Sequence, residues 1–289
     1  MIKKSFEARA KINLGLEILF KRPDGFHEIK SIMQSICLSD TLEFELKEGN
    51  SIELEMLGTE DIKAEDNLVF RAAELFLREC GKNFALKMRL IKRIPQMAGL
   101  GGGSSDAACT LKALNELSNF PLSDKELFSL ASKLGLDIPF FLSEGTALVS
   151  GRGEIIESLS ALPKFFLLIA MPRFRSNTKE MYSRFNKEEV SDIIEISALV
   201  KLLDKQKYEE FFLSLKNRFE DLLTAGDAAE VLRLKEMFLK TGALGASLSG
   251  SGSAVFGVYP NEDCLNSAFE KLSGEISELY KTAFYTNFI

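Results

Sequence analysis

PQMAGLGGGSSDAA, residues 95–108, places four glycines in five positions and follows them with two serines and an aspartate. Glycine accepts backbone angles that other residues resist and lets a ligand approach the main chain closely. FALKMRLI (84–91), just before it, alternates like a strand, and Ala107, Leu111, Leu114 and Leu117, after it, recur at helical spacing. Ser104, Ser105 and Asp106 suit a helix start, so the element reads as strand, glycine loop, helix N-terminus. Such a turn offers unpaired N–H donors at the positive end of a helix dipole, which suits phosphate. A tight strand-to-helix connection without a ligand is the other reading of the same spacing.

Three familiar loops are excluded by counting. Gly103 is followed by Ser104, where a Walker loop needs Gly-Lys and then Ser or Thr. The sixth position of a dinucleotide fingerprint is Ser104 counted from Gly99 and Asp106 counted from Gly101, where glycine is required. A nucleophile elbow needs glycine two residues after its serine, and Asp106 stands there.

Outward from the loop, 289 residues suit about two domains, and 46% hydrophobic with 27% charged residues is a globular composition. A net charge of −6 argues against a nucleic-acid partner, which calls for a basic face. Cys37, Cys80, Cys109 and Cys264 are scattered and form no CxxC pair, which fits a reducing cytoplasm better than disulfides or a metal site. No apolar segment follows the two lysines of MIKKSFEARAKI, so it is not read as a secretory signal. The longest apolar run, FFLLIAM (165–171), is too short to span a membrane.

Residues 5–20 alternate, with Phe6, Ala8, Ala10, Ile12, Leu14, Leu16, Ile18 and Phe20 on one face and Glu7, Arg9, Lys11, Asn13 and Glu17 on the other. That is the period of a half-buried strand or a bent pair of strands. LEFEL (42–46) and IELEM (52–56) alternate likewise, with Gly49-Asn50 between them as a hairpin signal. A helix is expected from about Asn67 to Cys80, stopped by Gly81, and another from Ser123, boxed by Glu126, to Gly135. From about residue 164 the pattern resets: the FFLLIAM strand, several helices to Thr241, and two short strands around SGSG (249–252). A helix near 262–272 and a strand near 279–288 follow. This β-α-β-β-α-β order reads as ferredoxin-like, and GRGEIIESLSALPK (151–164) is the natural boundary between domains 1–157 and 158–289.

PQMAGLGGGSSDAA resembles the P-x-x-x-G-L-G-S/G-S-S motif of the GHMP kinases, the group of galactokinase, homoserine kinase and mevalonate kinase. AKINLGLEI near the N-terminus and SLSGSGSAVFGVY near the C-terminus match in order, and the likeness covers essentially the whole chain. It implies an α+β fold of two domains, an N-terminal α/β nucleotide-binding domain and a ferredoxin-like C-terminal one. It also implies phosphoryl transfer from ATP, with Mg2+, to an alcohol. AKINLGLEILFKRPDGFHEI and GLDIPFF are similar to the members acting on cytidyl diphosphate methylerythritol, in the non-mevalonate route to isoprenoid precursors. A base-free alcohol such as homoserine or mevalonate, and a non-catalytic nucleotide-binding protein, are the rival expectations. A monomer or homodimer in the cytoplasm, with no membrane partner, is expected.

Residue by residue, the resemblance places the ATP phosphates on Pro95, Gln96, Met97, Ala98, Gly99, Leu100, Gly101, Gly102, Gly103, Ser104 and Ser105, with Asn67 and Lys92 near adenine. By pattern alone Lys11 is a solvated lysine and Asp137, before Ile138-Pro139, a turn residue. The resemblance makes them the catalytic pair: Asp137 takes or orients the hydroxyl proton, and Lys11 neutralises charge in transfer. It also implies that Asn13 bonds substrate, and that Phe26, His27 and Tyr182 form a cytosine pocket. Phe26 stands where the family usually has Tyr, so a hydrogen bond from that hydroxyl is lost. Gly250 and Gly252, in the third motif, would shape the site. No protein ligand for the metal is indicated, and His27, the only histidine, rules out a His-rich metal site.

Overall fold

Two long strands begin the chain in the computed structural model, which describes residues 2–58, 63–190 and 192–286. Strand β1 (Ile2–Lys21) pairs with β2 (His27–Glu48), and a tight turn joins them, in which the Arg22 N–H donates to the Phe26 carbonyl at 2.7 Å. The expected alternation of β1 is present, but from Lys11 to Glu17 its polar face is not solvated. Lys11, Asn13 and Glu17 are all buried, because each finds polar partners inside the protein.

The chain divides into two compact units, and the long strands pass from one to the other. The first comprises residues 1–10, 38–96 and 101–144. In it the second half of β2 (41–48) pairs antiparallel with β4 (Phe84–Ile91), and β4 pairs in parallel with β3 (Ser51–Leu57). LEFEL and IELEM therefore do not form the hairpin that Gly49-Asn50 suggests. β4 buries Leu86, Met88 and Leu90 and takes the place between them, while β3, carrying Glu53 and Glu55, takes the edge where charge is tolerated. A parallel pair needs a crossover, and helix α1 (Leu68–Cys80) supplies it. The Asn67 side chain caps α1, and Gly81, at φ 62°, ends it. Helices α2 (Gly102–Leu117), α3 (Asp124–Leu134) and α4 (Ile138–Ser143) complete the unit. The Ser123–Glu126 capping box opens α3 as the sequence indicated.

The second unit comprises residues 11–37, 97–100 and 145–289. The first half of β2 pairs antiparallel with β5 (Thr146–Gly151), which pairs with β6 (Ile155–Ser158). A separate sheet holds β7 (Phe166–Ala170), β8 (Gly245–Leu248), β9 (Val255–Tyr259) and β10 (Leu279–Ala283) in the order β10-β7-β9-β8, all neighbours antiparallel. Between β7 and β8 come α5 (Thr178–Ser183), α6 (Ile196–Asp204), α7 (Tyr208–Leu213) and α8 (Ala225–Lys240). Helix α9 (Glu262–Leu272) joins β9 to β10, so the β-α-β-β-α-β order of the ferredoxin-like reading is present with extra helices. Leu168, Ala170, Leu234, Phe238, Val255, Tyr259, Leu265 and Ala268 form the core of this sheet and its helices. Residues 287 and 288 of the expected last strand lie outside the described residues. Among the described residues no helix is long and apolar enough to cross a membrane.

Candidate active site

In the first unit the glycine loop leads directly into α2. The helix begins at Gly102, two residues before Ser104-Ser105-Asp106, with Gly101 as N-cap at φ 71°. No side chain caps it, so the N–H groups of Gly102, Gly103 and Ser104 have no partner in the helix and point from its positive end. The Ser104 hydroxyl makes no hydrogen bond among the described residues, whereas Ser105 Oγ is committed to the Arg9 carbonyl at 2.6 Å. An anion site made of main-chain donors is what this start offers.

Asp106 is not a cap. It lies in the second turn, buried, with Oδ2 2.7 Å from Lys92 Nζ, and the same ammonium bonds Asp40. Asp40 Oδ1 in turn accepts the N–H groups of Arg93 and Ile94, fixing the end of β4 just before the loop. Burial pushes the Asp106 carboxyl up to about 8, with Lys92 opposing the rise and Asp40 adding to it. Its Oδ1 is buried with no hydrogen-bond partner among the described residues. Burial pulls Lys92 down, but Asp106 and Asp40 outweigh it and hold the ammonium charged. A Cβ on Gly102 would stand 3.1 Å from Ile94 Cγ2 and 3.2 Å from Lys92 Nζ, so glycine there is required by this buried cluster as well as by any ligand. Asn67 is occupied in capping α1 through Val69 N–H at 2.9 Å. Asp137 occupies the N-cap position of α4 but does not cap it, and among the described residues of its own unit its half-buried carboxylate makes no hydrogen bond or ion pair.

In the second unit lie Met97, Ala98, Gly99 and Leu100. Met97 is exposed at φ 53°, while Ala98 and Leu100 are buried and pinned: Ala254 N–H donates to the Ala98 carbonyl and Lys11 N–H to the Leu100 carbonyl, both at 3.0 Å. The Gly99 carbonyl accepts from Lys11 Nζ at 2.6 Å and from Ser249 Oγ at 3.0 Å. Lys11 Nζ also bonds Asn13 Oδ1 at 2.6 Å, and Asn13 Nδ2 donates to Ser31 Oγ at 2.8 Å. Both ends of the Asn13 amide are thus engaged inside the protein. A Cβ on Gly250 would stand 3.1 Å from Lys11 Nζ, so the third motif leaves room for the lysine head group. Gly252, at φ 91°, donates its N–H to the Ser249 carbonyl at 2.9 Å and closes that turn. Ser31 and Ser249 escape sequence reasoning; their only signal is a small polar residue inside an apolar strand and inside a glycine-rich turn.

Also in the second unit, His27 and Tyr182 stack on each other, with ring centroids 5.0 Å apart and planes 14° from parallel. No third ring fits between them, since that would need twice the contact distance of one stacked pair. Phe185 meets His27 edge-on at 5.7 Å and Phe219 meets Tyr182 edge-on at 5.0 Å, which braces the pair. Phe26 is exposed beside it, with the Arg152 guanidinium 5.1 Å from its ring centre and held by Glu154. Burial, with the charge of Lys21 added, lowers the His27 pKa, which favours a neutral imidazole with one donor and one acceptor.

Among the described residues no three His, Cys, Asp or Glu side chains group as a metal site. Residues 67–145 match the model of the GHMP kinases N terminal domain and 199–277 that of the GHMP kinases C terminal domain. The chain is 43% identical over 251 residues, 87% of each chain, to 4-diphosphocytidyl-2-C-methyl-D-erythritol kinase of Pelotomaculum thermopropionicum. It is 37% identical, over 94% of each chain, to the kinase of that name from Caldanaerobacter subterraneus. A crystal structure of 4-(cytidine 5'-diphospho)-2C-methyl-D-erythritol kinase superposes with a TM-score of 0.81 at 32% identity, covering 97% of this chain and 99% of that one. Homoserine kinase from Cytophaga hutchinsonii has the same fold, with a TM-score of 0.72 at 17% identity over 99% of this chain and 96% of that one.

Proposed function

The chain belongs to the GHMP kinases, and on that premise we infer that it transfers the γ-phosphoryl group of ATP to the 2-hydroxyl of 4-diphosphocytidyl-2-C-methyl-D-erythritol, giving the 2-phosphate and ADP. The observation that carries the substrate is the 43% identity, across 87% of both chains, to a kinase named for that compound. The reaction is a step in the non-mevalonate supply of isoprenoid precursors.

Phosphoryl transfer is mostly positioning and charge stabilisation. The uncapped N–H groups of Gly102, Gly103 and Ser104 receive the phosphates, and the remainder of the 95–105 loop shapes their cradle. The buried Lys11 ammonium supplies positive charge where charge develops on the transferring group. The Asp137 carboxylate, uncommitted within its unit, accepts the proton of the attacking hydroxyl or orients it. Asn67 and Lys92, both already engaged, flank the adenine side through backbone and apolar surface rather than by free polar groups.

The Ser104 hydroxyl, which makes no hydrogen bond among the described residues, would be the protein oxygen available to a magnesium ion arriving with ATP, and such an ion would supply neutralisation of the phosphate charge. The cytosine ring packs on Phe26 and against the outside of the His27–Tyr182 pair, and the neutral imidazole pairs with the base edge. Asn13 serves this reaction through Lys11, since its amide is spent on Lys11 and Ser31.

The test is ADP release coupled to a spectrophotometric readout, with the cytidyl alcohol, homoserine and mevalonate offered in parallel. Turnover of the cytidyl alcohol alone is expected; preference for a base-free alcohol would overturn the assignment.

A further inference from the structure

Lys11 owes its place to a line of buried hydrogen bonds, and we propose that Ser31, at the far end of that line, is a positioning residue for phosphoryl transfer. The proposal rests on the reading of Lys11 as the charge partner of the reaction. Lys11, Asn13 and Ser31 are 3%, 1% and 0% exposed, so water cannot substitute for any missing partner.

The argument is one of hydrogen-bond polarity. A serine hydroxyl has a single proton. Ser31 donates it to the Gly15 carbonyl at 2.7 Å, so toward Asn13 its oxygen can only accept. Asn13 must therefore turn its NH2 group to Ser31, which it does at 2.8 Å, and its carbonyl oxygen to Lys11. The reverse orientation would set two acceptors face to face at Ser31 and two donors face to face at Lys11. The Asn13 oxygen and the Gly99 carbonyl, each 2.6 Å from Nζ, then hold the ammonium from two sides. Strand pairing of β1 with β2 carries the relay, because it brings the Ser31 hydroxyl within 2.8 Å of the Asn13 amide.

Replacing the hydroxyl leaves the Asn13 NH2 group unpaired in a dry site and removes the restraint on amide orientation. Ser31→Ala is expected to lower kcat roughly tenfold, about the net value of one or two buried hydrogen bonds to polar and charged groups, with KM for ATP and for the alcohol within about twofold. Ser31→Thr, which keeps the hydroxyl, is expected to restore most of kcat. Asn13→Ala removes the amide that Ser31 orients, so adding Ser31→Ala to it should cost far less than the product of the two single losses.

A second readout is independent of turnover. The Asn13 side-chain NH2 pair should exchange slowly in wild-type 1H–15N spectra and lose that protection in Ser31→Ala. Wild-type kcat in a folded Ser31→Ala, equal losses in the Ala and Thr variants, or independent effects in the cycle would overturn the proposal. Rapid exchange of the wild-type amide would overturn it even if Ser31→Ala does not fold. Absence of wild-type turnover on every alcohol would instead sink the kinase assignment, and the exchange data would still judge the relay.

Discussion

Alanine at Gly99 and alanine at Gly103 should have opposite consequences, although the two glycines lie four residues apart in one loop. A Cβ at Gly99 would fall 1.9 Å from the Ser249 carbonyl oxygen, and the residue sits at φ 74°. The left-handed backbone costs a side chain about 1–2 kcal/mol. Gly99 must retreat from the Ser249 turn by about 1 Å, which breaks the Ser249–Gly99 hydrogen bond, about 0.5–1.5 kcal/mol, and strains or breaks the charged Lys11–Gly99 bond, about 1.5–3 kcal/mol. The sum is about 3–6 kcal/mol before relaxation, which at about 2–4 °C per kcal/mol lowers Tm by roughly 10 °C or more. Displacing Lys11 by that distance should also lower kcat by roughly 100-fold. At Gly103 the nearest atom to a Cβ is Leu68 Cδ1 at 3.8 Å, the position is exposed, and the residue is helical. Gly103→Ala should therefore keep Tm within about 2 °C of wild type, since alanine favours a helix, and raise KM for ATP by crowding the exposed N–H groups. Calorimetry and steady-state kinetics on both variants decide the matter. Equal loss of stability in the two, or wild-type Tm and kcat in Gly99→Ala, would refute the close approach of the Ser249 turn.

Tyr182→Leu and Phe26→Leu should each raise KM for the cytidyl alcohol by roughly tenfold and leave KM for ATP unchanged, at about 1–3 kcal/mol per stacked base; equal effects on both substrates would mean general damage to the pocket. Lys11→Ala and Asp137→Asn should each lower kcat by roughly 100-fold or more, and the double variant by much less than the product; near-normal single variants would remove that residue from the chemistry. Asp106 titrates near 8 when folded and near 4 when unfolded, so between those values the folded state binds the extra proton and unfolding free energy falls as pH rises. Asp106→Asn should accordingly gain stability relative to wild type from pH 5 to pH 8 in denaturant titrations; a pH-independent difference would show that Asp106 is ionised throughout.

Much of this fold is legible in the chain because its signals are local. The capping box at Ser123, the Asn67 cap and Gly81 stop of α1, and the strand at 84–91 follow from side chains that act on their own backbone within a few residues. The glycine loop and the β-α-β-β-α-β order are legible for the same reason, and the family resemblance rests on the loop together with AKINLGLEI and SLSGSGSAVFGVY. Pairing is a different matter. Gly49-Asn50 marks a turn, but whether its flanking strands pair depends on β4, more than 30 residues away, which buries more apolar surface and takes the middle place. Polar residues are the other limit. Alternation assigns Lys11, Asn13 and Glu17 to a polar face, yet that face is solvated or buried according to whether Gly99, Ser31 and Arg218 arrive to bond it. Asp106 reads as a helix start until Lys92 and Asp40 come to it in the fold. A carboxylate or an amide carries no mark of its partner in its own neighbourhood, because hydrogen bonds and charges act through space and only the tertiary structure sets those distances.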